Sequence, residues 1–197
     1  MLVTMSSACR SRRGALSPAD APSPGSRLAA RARPVLLWTG VALLALAADA
    51  ATKAWALSAL RAGRQITVTG GLIQLRLVAN HGAAFGFGAG YEPLVVLASA
   101  VGVVLLGLWA RYATSSVERL GAALAVGGGL GNLADRLFRP PGVLHGAVVD
   151  WIHVSFYAPT FNLADVWLRG GILIAALGWL WNRRHPHHPG EARGIHI

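Results

Sequence analysis

Acidic side chains are scarce in this chain. Only eight of 197 residues are Asp or Glu, against eighteen Lys or Arg, which leaves a net charge of +10. Cysteine is scarcer still: the single Cys9 excludes an intramolecular disulfide framework. It lies in a tail rich in Arg and Ser, far from other reactive residues, and reads as incidental rather than nucleophilic. No His-Glu-x-x-His occurs, so the usual zinc-peptidase pattern is missing, and there is no Gly-x-Ser-x-Gly. Ser58, Ser99, Ser115, Ser116 and Ser155 have no evident triad setting. The basic residues form no stripe interleaved with aromatics, so the charge does not point to nucleic acid.

Apolar residues are abundant instead. At 54% hydrophobic and 13% charged, the chain is too apolar for an ordinary soluble domain of its length. The apolar residues fall into runs long enough to cross a hydrocarbon core of about 30 Å as helices. The reading is an all-α membrane protein with four transmembrane helices, at about 35–60, 94–112, 117–137 and 161–181. Residues 1–33, with six arginines and no regular period, read as a disordered basic tail. The apolar run 35–48 with Ala48-Asp49-Ala50 after it has some look of a cleavable signal peptide. The long basic region before it and the spans after it favour a retained helix. Residues 34–182 make one membrane domain, and 183–197 form a polar, His-containing tail.

Between the first two spans lies a small β-rich element. Ile66 to Thr69 and Ile73 to Leu77 alternate in hydrophobicity around Gly70-Gly71, the mark of a hairpin. A glycine-punctuated loop from Asn80 to Gly86 follows, in which His81 reads as a solvated residue. A second β-like run, Val148 to Val154, lies between the third and fourth spans. Gly121, Gly127, Gly128, Gly129 and Gly131 slim the third span for close helix contact.

The rare acidic residues are concentrated. Three of the five aspartates, Asp135, Asp150 and Asp165, lie within one 31-residue stretch at the ends of apolar runs. Ionisable groups placed there are costly and mark functional sites by default. Each also has a bland reading. Asp49 and Lys53 suit an i, i+4 ion pair, Asn162 a helix cap, and Asp165 the positive end of a helix dipole. Arginines in the first 33 residues, Arg111, Arg119, Arg183 and Arg184 flank the other ends of the spans and put both termini in the cytoplasm. Asp49, Lys53, Asn80, Asn132, Asp135, Asp150 and Asp165 then share the opposite, extracytoplasmic face. Two carboxylates close together in a partly dry site share a proton and can hydrolyse an amide by acid–base catalysis. A proton-coupled transporter is the rival use of such carboxylates, but gathering at one face and the lack of an inverted repeat disfavour it.

At this point the chain resembles the bacterial lipoprotein signal peptidases, or signal peptidase II. The resemblance covers about residues 34–182. It rests on Asp49-x-x-Thr52-Lys53, Asn80-x-Gly82-x-Ala84-Phe85, Gly131-Asn132-x-x-Asp135-Arg136, Val149-Asp150 and Phe161-Asn162-x-Ala164-Asp165, five motifs in the family's order. It implies an aspartic endopeptidase of the bacterial inner membrane, with its site at the extracytoplasmic face. Its substrates would be prolipoproteins carrying a diacylglyceryl group, cut on the amino side of the lipidated cysteine. Asp150 and Asp165 would form the catalytic dyad. Asn132, Asp135, Arg136, Asn162 and Ala164 would hold the dyad and the substrate backbone, with Asp49, Lys53 and Asn80 in support. No metal or other cofactor is implied. The implied partners are substrate and membrane lipid, with a monomeric enzyme. An inactive relative that only binds lipidated peptides is disfavoured because both dyad aspartates are present. Two departures stand out: Ala50 replaces the family's usual glutamine, and the Asp135–Asp150 connection is longer, with Pro140-Pro141 inside it.

Overall fold

The structure, a computed structural model, describes residues 24–82, 88 and 90–185, with side chains from residue 35 onward. The chain divides into two units, Met1–Val35 and Leu36–Ile197, and the site lies in the second. The main elements among the described residues are four helices and one four-stranded sheet: α1 (Pro24–Ala59), β1 (Ile66–Val68), β2 (Ile73–Asn80), α2 (Glu92–Tyr112), α3 (Ser116–Phe138), β3 (Val148–Val154), β4 (Tyr157–Phe161) and α4 (Leu163–Arg184).

Among the described residues, three helices are long and apolar enough to cross a membrane: Val35–Ala59, Glu92–Tyr112 and Leu163–Arg184. The 23-residue α3 is not among them, because it carries Glu118, Arg119, Asp135 and Arg136 and is rich in glycine. It packs by backbone contact instead. A Cβ at Gly127 would lie 2.5 Å from the Ala42 carbonyl oxygen of α1, and one at Gly171 of α4 would lie 2.5 Å from the Gly121 carbonyl oxygen. Side chains are missing where the helices touch, so α3 is the buried centre of the bundle.

Residues 24–33, expected as disordered tail, are helical. The stretch Leu28-Ala29-Ala30-Arg31-Ala32-Arg33 consists of strong helix formers, and an amphipathic period is not needed where propensity is this high. Residues 1–23 and 186–197 lie outside the described residues, as do 83–86 of the expected loop and residues 87 and 89 beyond it. Glu118 is buried in the first turn of α3. Ser115 caps the helix through the Glu118 amide, and Glu118 accepts from the Thr114 amide at 2.9 Å.

The sheet is antiparallel in the order β1-β2-β3-β4. The expected hairpin is present, with Ile66 opposite Leu75, and Gly70 and Gly71 supply the positive φ its turn needs. Asn80 is the last residue of β2 rather than a loop residue. A fourth strand, β4, precedes α4, so α4 begins at Leu163 and not at Phe161. Pro159 masks this strand in the sequence; its missing N–H is tolerated because β4 is an edge strand.

Candidate active site

Asp49 and Lys53 stand near the end of α1, Asn132 and Asp135 near the end of α3, and Asp165 in the first turn of α4. The sheet brings in the remaining members. Val78 lies opposite Asp150 and Asn80 opposite Val148, so Asn80 and Asp150 are diagonal neighbours on one sheet face. The Asn80 amide nitrogen donates to Asp150 Oδ2 at 2.9 Å. The Val149 amide donates to Asp135 Oδ2 at 3.2 Å and ties β3 to α3.

Three asparagines join the two dyad candidates, and a neighbour of fixed chemistry sets the orientation of each. Lys53 has only protons to offer, so the Asn132 oxygen must face it, at 3.1 Å; the Asn132 nitrogen then donates to Asp165 Oδ1 at 2.9 Å. The Asn162 oxygen accepts from the Asp165 backbone amide as a helix cap. Its nitrogen donates to Asp150 Oδ1 at 2.7 Å and to the Asn132 oxygen at 3.0 Å. The Asn80 oxygen accepts from the Gly82 amide, which turns its nitrogen to Asp150. The cap role expected for Asn162 is therefore present, and the same side chain also holds Asp150.

Beneath this layer Lys53, 1% exposed, spends its three donors on Asp49 at 2.7 Å, Asp135 at 2.8 Å and Asn132. Asp49 Oδ1 accepts from the Ala164 amide at 2.9 Å. The Asp49–Lys53 pair, the expected i, i+4 ion pair, is thus a buried keystone of the network. Asp135 is a fixed ion between Lys53 and Arg139, and Arg139 was not foreseen as a site residue. Its i, i+4 spacing from Asp135 was the available signal. Arg136 turns elsewhere and donates to the Asn132 carbonyl at 3.2 Å and the Gly82 carbonyl at 2.8 Å.

A cavity of about 780 Å³ opens over this network. Asp150, Asp165, Asn80, His81, Asn132 and Arg136 line it, whereas Asp49, Lys53, Asp135, Asn162 and Ala164 stand behind the wall. Of the three aspartates that converge, only Asp150 and Asp165 can be reached from it. Burial pushes the Asp150 carboxyl up to about 6, the charge of Asp165 adds to the rise, and the Asn80 and Asn162 amides oppose it. Asn80→Ala removes one opposing donor. The inflection near pH 6 in the profile of kcat/KM is expected to move upward, and a downward or absent shift would contradict the assignment.

Gly131 makes room for the keystone: a Cβ there would lie 2.5 Å from Asp49 Oδ2 and 3.2 Å from its Cγ. Gly131→Ala is expected to cost about 1–3 kcal/mol by forcing Asp49 off Lys53. The check is the thermal midpoint of the detergent-solubilised protein, which an adaptable pocket would leave unchanged. Ala50 is exposed on α1, so the absent glutamine takes nothing from these hydrogen bonds. The long Asp135–Asp150 connection protrudes with residues 140–145 exposed, and Asp150 lies back in the network.

Comparisons with known proteins identify the family of the chain. The family model described as Signal peptidase (SPase) II matches residues 41–181. A protein named lipoprotein signal peptidase from Rhodococcus jostii is 41% identical over 146 residues, 72% of each chain. Relatives of the same name from Mycolicibacterium smegmatis (39%, covering 87% of this chain and 74% of that one) and Leifsonia xyli (42%, covering 76% and 69%) are also similar. Two structures of bacterial membrane enzymes obtained by the in meso method share the fold. Their TM-scores are 0.65 and 0.60 at 20% and 22% identity, covering 81% and 73% of this chain and 94% and 92% of theirs. With the matched region holding every one of the residues that build the site, this chain belongs to the signal peptidase II family.

Proposed function

We propose that this chain, a peptidase that removes signal peptides from prolipoproteins, does so as an aspartic endopeptidase with Asp150 and Asp165 as its dyad. The observation that carries the reading is their shared access to the cavity, while every other carboxylate of the network is walled off and paired with Lys53. One carboxylate takes a proton from water as it attacks the scissile carbonyl. The other, protonated, hydrogen-bonds the carbonyl oxygen and passes its proton to the leaving amine. Asn132 and Asn162 hold the pair at fixed separation, and Arg136 fixes the chain at Gly82, just past β2, beside it.

The substrate in this reading is a prolipoprotein bearing a diacylglyceryl-modified cysteine, cut on the amino side of that cysteine. The apolar cavity wall of Val103, Leu106 and Leu168 suits acyl chains. The polar network at one end of the apolar helices supports a site at the membrane surface, with α3 as the fourth span. The basic flanks support an extracytoplasmic site, cytoplasmic termini and a bacterial inner-membrane location. The enzyme works as a monomer without metal.

The test compares lipid-modified and unmodified forms of one precursor, with chelator present, followed by sequencing of the new amino terminus. Cleavage of the modified form alone, leaving the lipidated cysteine first, is the expected result. Equal cleavage of both forms, or arrest by the chelator, would overturn the reading.

A further inference from the structure

Arg169 has no part in the mechanism above and stands in an awkward place. It lies in the apolar helix α4, one turn beyond Asp165, and lines the catalytic cavity. Arginine in a membrane-length helix is costly unless its guanidinium serves a partner. Among the described residues, Arg169 makes one hydrogen bond, from Nη1 to the Tyr157 hydroxyl at 3.2 Å, and Nη2 approaches Asp165 Oδ2 at 3.8 Å. Its side chain is 48% exposed, so neither contact consumes the fork. The other cation of the cavity wall, Arg136, is buried and engaged with two backbone carbonyls.

Its position identifies what the fork faces. Four residues along a helix advance about 6 Å, so the Arg169 backbone sits about that much deeper than that of Asp165, and the side chain reaches back until Nη2 is 3.8 Å from Asp165 Oδ2. Val103, Leu106 and Leu168, which share the cavity wall with it, are apolar. A cysteine held with its amide at the dyad would send its lipid down this wall. The first strong acceptors beyond the sulfur are the ester carbonyl oxygens of the glyceryl group, seven to eight bonds from the α-carbon and thus within about 9 Å of it when extended. We propose that Arg169 is a specificity residue that donates hydrogen bonds to the ester carbonyl oxygens of the substrate's lipid, with Tyr157 aiming the guanidinium. This rests on the reading of the substrate given above. A guanidinium suits the task because it stays charged and offers several coplanar donors.

The experiment uses two synthetic lipopeptides of one sequence, a diacyl ester and its dialkyl ether, which lacks the carbonyls. Wild type is expected to prefer the ester by about tenfold in kcat/KM, mostly through KM, as one charge-assisted hydrogen bond provides. Arg169→Leu is expected to erase the preference, losing on the ester and little on the ether. Arg169→Lys should keep part of it, and Tyr157→Phe should shrink it without touching the cation. Equal losses on both lipids, or a preference that persists in Arg169→Leu, would overturn the proposal. If Arg169→Leu does not fold, an unchanged preference in both Arg169→Lys and Tyr157→Phe does so. Failure of wild type to cut either lipopeptide would instead strike the substrate reading.

Discussion

Asp150→Asn and Asp165→Asn are each expected to lower kcat at least a thousandfold while leaving the protein folded. An amide can neither take a proton from water nor give one to the leaving amine, so the acid–base contribution disappears at either position. The fold should survive because the neighbours are tolerant. The amide oxygen introduced by Asp150→Asn could still accept from Asn80 or Asn162, and the one introduced by Asp165→Asn could still accept from Asn132. The Asn162 cap binds the backbone amide of residue 165 and does not involve that side chain. The check is single-turnover cleavage of the lipidated precursor beside a thermal melt of each variant. Residual activity within tenfold of wild type in a folded variant would remove that residue from the dyad.

The second large effect belongs to a residue that never meets the substrate. Lys53→Met is expected to destabilise the protein by about 3–5 kcal/mol, because it strands two buried carboxylates, Asp49 and Asp135, without their common cation. Arg139 still reaches Asp135, but Asp49 keeps only the Ala164 amide. The Asn132 oxygen also loses its lysine donor and keeps only the Asn162 nitrogen, which weakens the hold on the amide that donates to Asp165. Activity and melting midpoint should therefore fall together. Lys53→Arg should not restore them, since a planar fork cannot reach three acceptors arranged around a single ammonium. Full activity in Lys53→Met would show that the asparagines hold the dyad unaided.

Much of this site was legible because membrane-length runs make polar residues conspicuous. In a chain with eight acidic residues, Asp135, Asp150 and Asp165 stood out before any geometry was known. What pattern alone could not give was the hierarchy among them. Asp135 carries the same side chain as the proposed dyad, and only its ion pairs with Lys53 and Arg139, behind the cavity wall, set it apart. Arg139 was hidden by the prolines that follow it, which read as loop. The strand Tyr157–Phe161 was hidden by Pro159 and by an edge position that makes few demands on sequence. The start of α1 at Pro24 was hidden because propensity without periodicity looks like tail. Arg169 was passed over as one cation in an apolar run; its meaning depends on a cavity that sequence does not display.

The central claim is that Asp150 and Asp165 act as one catalytic unit. The most direct measurement is the single-turnover rate of the Asp150→Asn, Asp165→Asn double variant beside the two single variants, all shown to be folded. Groups that share one step are lost together, so the double variant should be no slower than the slower single variant. Multiplied losses in the double variant would mean that the two carboxylates contribute independently and would contradict the dyad.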